Sequence, residues 1–492
     1  MTVLARSTEA GDALADRIIT CPLPGGWRGP TFPVLNPATG AHLTDVADMG
    51  PDEAKAAVKA ASQALASWAG RTAKERAAIL MAWHDRILQN KDELARLLTL
   101  EMGKPLAEAA GEVAHGASYI AWFAEEAKRL YGDVIPTNDP NRRMLAIRQP
   151  IGVVAAITPW NFPSAMIMRK VAPALAAGCT VVIKPAEDTP LSAIALLQLA
   201  GEAGMPEGVL SLVTCRKPAE IARVLTDHRD VRKLSFTGST AVGKLLMRQC
   251  ADTVKKVSLE LGGNAPFIVF ADADLDTAVN SAMLAKFRNA GQTCISANRF
   301  LVEASVLPAF TEKLLARIAG LKAGDGLEAG TSLGPIINEA GLAKIDRLVT
   351  TAMEQGATLL TGGYRIERPG TFYAPTVLAD VTPAMDISKA EIFGPVVTLS
   401  AFETEAEAIR LANDTDYGLA AYAFTREMGR LWRLPEALEF GMVAMNEGTV
   451  GSEAAPFGGV KESGIGREGS RVGIDEYAEI KYVGMGGIGA AR

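Results

Sequence analysis

Cysteine is scarce in this chain: five residues in 492 (Cys21, Cys179, Cys215, Cys250 and Cys294), an odd number without a close-spaced pair. That pattern argues against a disulfide framework or a zinc knuckle and fits a reducing compartment. Histidine is scarcer still. None of the four (His42, His84, His115 and His228) is spaced with another His or Cys to hold a metal, so all four read as structural or exposed and no metal is expected. No run approaches the roughly 20 apolar residues of a membrane span, and the opening MTVLARSTEAGDALADR lacks the charged start and apolar stretch of a secretion signal. The expectation is a cytoplasmic protein with no membrane partner. A basic stripe is also missing. Acids and bases are interspersed and sum to a formal charge of -6, which offers nothing to nucleic acid, and a small-molecule partner is expected instead. Internal repeats and low-complexity linkers are absent as well.

What remains is a folded composition, 48% hydrophobic and 22% charged, in a chain too long for one core. Two or three domains follow, with room for a site between them. Residues 51–130 are rich in Ala, Glu, Lys and Leu, and segments such as RTAKERAAILMAWHDRILQ repeat apolar residues every three to four positions, the pattern of successive amphipathic helices. From 151 the texture changes. IGVVAAI, TVVIK, VLSLV and KLSF are apolar runs bounded by Pro and Gly and separated by helical patterns, which implies βαβ units and a parallel sheet. A second alternation runs from PFIVF at 266–270 past EIFGPVVTLS to about 445, so two α/β domains are expected, divided near Gly262 and Gly263. The tail EYAEIKYV at 476–483 alternates like a strand and has no partner near it in sequence; pairing within the chain or with another subunit would each supply one.

Three segments carry chemistry. KLSF followed by TGSTAVG has the shape of a strand, a tight turn and a helix start, where free N–H groups and the helix dipole favour a pyrophosphate. Its glycines, Gly238 and Gly243, are five apart, so the usual dinucleotide fingerprint is absent and, taken alone, a plain strand-to-helix turn is the better reading. VVIKPAED puts Lys184 and Glu187 just past a second strand, where a ligand of an open sheet binds; a carboxylate beside the adenosine ribose would repel a 2′-phosphate and favour NAD over NADP. A solvated charge pair is the plainer alternative.

Cys294, in RNAGQTCISANR, sits among small polar residues between Arg288 and Arg299, and nearby positive charge favours the thiolate. Asn161 in TPWNFPS can aim its amide N–H at an oxyanion together with the Cys294 backbone N–H, or else serve as a turn residue ahead of Pro163. Glu260 in SLELGG is a lone carboxylate between apolar residues, where burial would raise its pKa towards that of a useful base; a buried ion pair is the alternative.

Taken in order, PWNFP, KPAE, FTGST, LELGG, GQTC, EIFGP and PFGG resemble the aldehyde dehydrogenase superfamily, and the resemblance runs from NPATG at 36–40 to EYAEIKY. It implies an α/β fold of two Rossmann-like domains, for cofactor and catalysis, plus a small β oligomerisation element and hence a homotetramer or homodimer. The cofactor domain is expected over 1–137 and 158–262, the catalytic domain over 263–470, and the oligomerisation element over 138–157 and 471–492. The same resemblance implies Cys294 as nucleophile, Glu260 as general base and Asn161 as oxyanion donor. It places Thr158, Trp160, Lys184, Glu187, Gly238, Ser239, Gly243, Leu261, Glu391 and Phe393 at the dinucleotide, NAD preferred and NADP possible.

Within the superfamily, PWNFPSAMIMRKVAPALAAGC, KFRNAGQTC and PFGGVKESGIGREGS are similar to succinate-semialdehyde dehydrogenases. An acidic aldehyde is the substrate this implies, with Arg169, Arg288 and Ser452 around it. Arg169 lies in an apolar helical run where a guanidinium needs an anion, which a substrate carboxylate or an internal Asp or Glu can supply. Gly451 departs from the serine that subfamily commonly carries near the start of this loop, and Ser296 replaces a second cysteine found in some relatives, so no thiol switch is expected. Glutarate semialdehyde and a sulfonated aldehyde such as sulfolactaldehyde remain alternative substrates. Acyl transfer to coenzyme A is disfavoured by Glu260, and a non-catalytic binding role by the joint presence of Cys294, Glu260, Asn161 and Lys184.

Overall fold

A computed structural model of the chain describes residues 13–488. Most of the N-terminal stretch searched for a signal, and the last four residues of the expected oligomerisation element, lie outside that range. The amphipathic pattern of 51–130 becomes four helices, Pro51–Ala69, Ala73–Gln89, Lys91–Met102 and Leu106–Glu126. Thr72 starts the second of these by a capping box, its hydroxyl taking the Glu75 N–H while the Glu75 carboxylate takes the Thr72 N–H.

Two sheets form the frame. The first is six-stranded, in the order Gly464–Ile465, Lys256–Glu260, Val231–Thr237, Val153–Ile157, Thr180–Lys184 and Leu210–Leu212. All its pairings are parallel except that of the short outermost strand Gly464–Ile465. Helices cover both faces, so its central strands are buried on both sides and need no alternation. The second sheet is seven-stranded and has Ala265–Val269 between Ala297–Glu303 and Ala420–Phe424. Chain passage from the first sheet to the second falls at Gly262 and Gly263, between Glu260 and Ala265, where the composition placed it. No helix among the described residues is long and apolar enough to cross a membrane.

The third, three-stranded sheet joins Ala478–Gly486 to Arg142–Pro150 and that strand to Asp133–Ile135. Two sequence expectations are corrected here. Val153–Ile157 is not part of a hairpin at 138–157: all its residues are buried and it pairs with two strands of the first sheet, whereas Arg142–Pro150 is exposed or half-buried throughout. The chain changes role at Gly152, whose φ of +129° is open to glycine and strained for other residues. The catalytic segment 263–470 likewise lends Gly464–Ile465 to the first sheet, and Ile474 and Tyr477, beyond 470, are buried in that sheet's core. The tail strand is paired within the chain, over its whole length, with Arg142–Pro150.

Candidate active site

The carboxyl ends of the first sheet, the start of the helix Thr240–Ala251 and the loop bearing Cys294 enclose a cavity of about 240 Å³. Trp160, Gly238, Ser239, Leu261, Glu391 and Phe393 line it together with Cys294 and Asn161, so sequence segments up to 233 residues apart converge on one sulfur. Trp160 and Phe393 meet edge to face, with ring centroids 5.4 Å apart. Phe393 holds a φ of +60°, an unusual conformation for a bulky residue that presents its ring to the cavity.

On the helix side, Ser239 is the N-cap and takes the Val242 N–H, while the first-turn amides open towards the cavity. Gly243 serves a different end from the one expected: it is buried in the first turn, where a Cβ would run into the Leu261 methyls, so its smallness lets the helix seat on the sheet. Thr158 is buried at the end of Val153–Ile157, and its N–H is tied to the Lys184 carbonyl. Lys184, itself buried, ends the neighbouring strand and pairs with Glu187 at 2.9 Å. Thr237 Oγ, lining the same cavity, is buried without a hydrogen-bond partner. The Glu391 carboxyl is pushed up to about 7 by burial, and one of its oxygens takes the Gly263 N–H at 2.8 Å. A helix start with open amides, an unpartnered hydroxyl, a carboxylate and two aromatic rings are the donors, acceptors and flat surfaces that a dinucleotide's phosphates, ribose and ring require.

Cys294 is half-buried, and its backbone N–H faces its own sulfur. Burial, with the carboxylates of Glu391 and Glu260, pushes the thiol up to about 12 and outweighs the opposing charge of Arg169. Arg299, one of the two flanking arginines expected to favour the thiolate, is turned away onto the carbonyls of Asn264, Leu411 and Ala412. Glu260 ends the strand Lys256–Glu260; burial and the neighbouring Glu468 raise its pKa well above the ordinary value, and its Oε2 has no hydrogen-bond partner. Asn161 is buried, and its amide donates one N–H to the Gln292 carbonyl at 3.0 Å, which leaves the second free.

The charged residues on the substrate side separate into two kinds. Arg169, in the fully buried helix Ala165–Ala177, lies 3.1 Å from Glu468, an internal anion that offsets its charge, while its Nε and Nη2 have no hydrogen-bond partner. Lys170 holds the other oxygen of the same carboxylate. Burial works against ionisation of Glu468, but these two cations hold its pKa below the ordinary value. Arg288, by contrast, makes no ion pair among the described residues and lies over the Phe162 ring at 5.6 Å. Both guanidiniums act on His115, whose pKa falls to about 4 through burial and these two charges, so the three groups are neighbours. Ser452 bonds Glu453, its carbonyl accepts from Tyr119, and Tyr119 lies against Arg169. Gly451 has a φ of +112°, so the departure from serine at that position follows from the backbone the loop adopts.

Sequence reading took His115 as structural or exposed and passed over Glu468, Lys170 and a buried group under Asn161 formed by Lys104, Glu108 and Glu112. The last had a signal: three charged residues four apart, entering a helix otherwise rich in alanine.

A family model described as "Aldehyde dehydrogenase family" matches residues 27–483. The chain is 56% identical over 460 residues to a 3-sulfolactaldehyde dehydrogenase of Pseudomonas putida, covering 94% of each chain. It is 55% identical over 456 residues to a glutarate-semialdehyde dehydrogenase of Pseudomonas putida strain KT2440, covering 93% of this chain and 94% of that one. Its identity to the NADP(+) succinate-semialdehyde dehydrogenase of Escherichia coli K12 is 54% over 459 residues, covering 93% of this chain and 95% of the other. A sulfur with a buried carboxylate near it and a buried amide lining the same cavity is a set suited to chemistry at a carbonyl. The chain belongs to the aldehyde dehydrogenase family, whose members oxidise aldehydes with NAD(P).

Proposed function

We propose that this enzyme oxidises an acidic aldehyde to its acid, with succinate semialdehyde as the preferred substrate. The observation that carries the reading is Arg288, a guanidinium with no ion pair among the described residues, six positions before Cys294 in sequence and near enough to Arg169 that both act on His115. A cation without an ion pair is a seat for an anionic substrate tail, and a guanidinium fork suits a carboxylate or a sulfonate.

The chain's own residues divide the work. The sulfur of Cys294 bonds the aldehyde carbon, and the oxygen that becomes negative meets the free N–H of Asn161 and the backbone N–H of Cys294. Ser239 at the start of the helix Thr240–Ala251, Lys184, Glu187 and Glu391 would hold NAD(P), which would supply the hydride acceptor when bound. Glu260, with one oxygen unpartnered, takes the proton of the water that attacks the Cys294 thioester and releases the acid.

Glu187, beside Asp188, favours NAD. Asp188 is pushed up to about 6 by burial and by the Glu187 charge, so a 2′-phosphate would add negative charge beside two carboxyl groups. A higher kcat/KM for NADP than for NAD would overturn that preference. The three-stranded sheet leaves Val134, Ile480 and Tyr482 exposed, a surface suited to a homodimer or homotetramer in the cytoplasm. The substrate assignment is tested by kcat/KM over succinate semialdehyde, glutarate semialdehyde, sulfolactaldehyde and a neutral aldehyde of similar length. Succinate semialdehyde leads if the reading holds, and a neutral aldehyde ahead by more than about tenfold removes it.

A further inference from the structure

Directly under Asn161 lies a buried polar group that no step above uses. Lys104, two residues ahead of the helix Leu106–Glu126, has no exposed side-chain surface. Its ammonium pairs with Glu112, donates to the Asn161 carbonyl at 2.8 Å and lies 3.9 Å from the centre of the Phe162 ring. The Asn161 carbonyl takes a second bond from Asn289 Nδ2 at 3.0 Å, and that nitrogen also reaches the Gln292 carbonyl, which accepts from the Asn161 amide. Glu112 caps the adjoining segment by taking the N–H groups of Ser164 and Ala165 at 2.9 and 3.1 Å. Glu108 takes the Asn289 N–H at 2.7 Å.

This arrangement is costly to build. Burying an ammonium and a carboxylate costs several kcal/mol per ion before they meet, and an apolar side chain of similar size would pack the space without that cost. Asn289 and Ala290 sit at φ of +53° and +54°, left-handed backbone that costs about 1–2 kcal/mol for each such residue. What the charges accomplish is geometric: they tie both the Asn161 peptide and the loop leading into Cys294 to one rigid helix. We infer that Lys104 is a positioning residue for the oxyanion hole: it holds the Asn161 carbonyl, which also accepts from Asn289, and so fixes the Asn161 amide relative to the loop through Asn289 and Gln292 that leads to Cys294. The inference rests on the reading of Asn161 as an oxyanion donor.

The test compares reactions of the same sulfur that do and do not generate an oxyanion, in the full-length enzyme. Lys104→Met should slow single-turnover aldehyde oxidation about a hundredfold, the scale of a lost oxyanion donor, and slow hydrolysis of p-nitrophenyl acetate in parallel. Alkylation of Cys294 by iodoacetamide, which forms no oxyanion, should change less than about threefold, as should KM for the dinucleotide. The double variant Lys104→Met, Asn161→Ala should be no slower than Asn161→Ala alone. Should Lys104→Met fail to fold, Asn289→Gly keeps the left-handed backbone and removes the second donor, and the same split of oxidation from alkylation is expected of it. Oxidation and alkylation falling together, or losses that add in the double variant, would mean a merely structural role and overturn the inference. An Asn161→Ala enzyme that is slow beside a Lys104→Met enzyme that is fast removes this inference alone. Full activity in Asn161→Ala removes the oxyanion reading and the inference with it.

Discussion

Two sets of residues meet at Cys294, and they are built on opposite terms. The cofactor set is a strand end, a helix start, a leucine and two aromatic rings lining a cavity, with the buried Glu391 among them and Lys184 paired to Glu187 at a strand end. The substrate set is dense in buried charge: Arg169 and Lys170 share the one carboxylate of Glu468, the pKa of His115 is lowered by burial and by Arg169 and Arg288, and Arg288 makes no ion pair among the described residues. The difference teaches where selectivity resides. Backbone amides and ring faces suit the same dinucleotide whatever the aldehyde, whereas in the proposed reading an excess of positive charge selects the aldehyde tail.

That contrast can be broken most severely at the sulfur itself. Cys294→Ser should lower aldehyde oxidation by at least about a thousandfold, since the hydroxyl is a far weaker nucleophile, while dinucleotide affinity, measured by fluorescence titration, stays within about threefold. Parallel loss of both would mean that the two sets are not separable. Arg169→Ala sharpens the comparison from the other side. It leaves Glu468 buried beside Lys170 alone, so chemical denaturation should show a loss of about 3–5 kcal/mol, and any fall in turnover should be alike for acidic and neutral aldehydes. A loss confined to acidic substrates, with stability unchanged, would return Arg169 to the substrate clamp.

A smaller effect is expected in pH. The thiol of Cys294 is raised above its ordinary value to about 12, so the reactive thiolate is a minor fraction at neutrality and grows tenfold with each unit below that value. Alkylation of the cofactor-free enzyme should therefore rise without levelling between about pH 7 and about pH 10. A plateau near neutrality would show that the sulfur is ionised after all.

The cofactor set was legible in the sequence because its signals are local. TVVIKPAE and KLSFTGST each announce a strand, a turn and a polar end within a few residues, and those strands form where the apolar runs stand. The substrate set was legible only in its members. Arg169 stood out as a cation in an apolar helix, but its partner Glu468 is 299 positions away by the numbering, and nothing local distinguishes an internal anion from a bound one. Cys294 misled for a related reason: neighbouring arginines in sequence say little about which way they point, and Arg299 points into the second sheet. The hairpin limit failed on burial. VVAAI is apolar on every residue, as a central strand is, while RRMLAIRQ carries three arginines and stays at the surface.

The account stands most directly on kcat/KM for succinate semialdehyde and for a neutral aldehyde of equal length, measured in the wild type and in Arg288→Ala. Removal of the unpaired guanidinium should cost about 2–5 kcal/mol for the acidic substrate and leave the neutral one within about threefold. Equal losses for both substrates, or none for either, would contradict it.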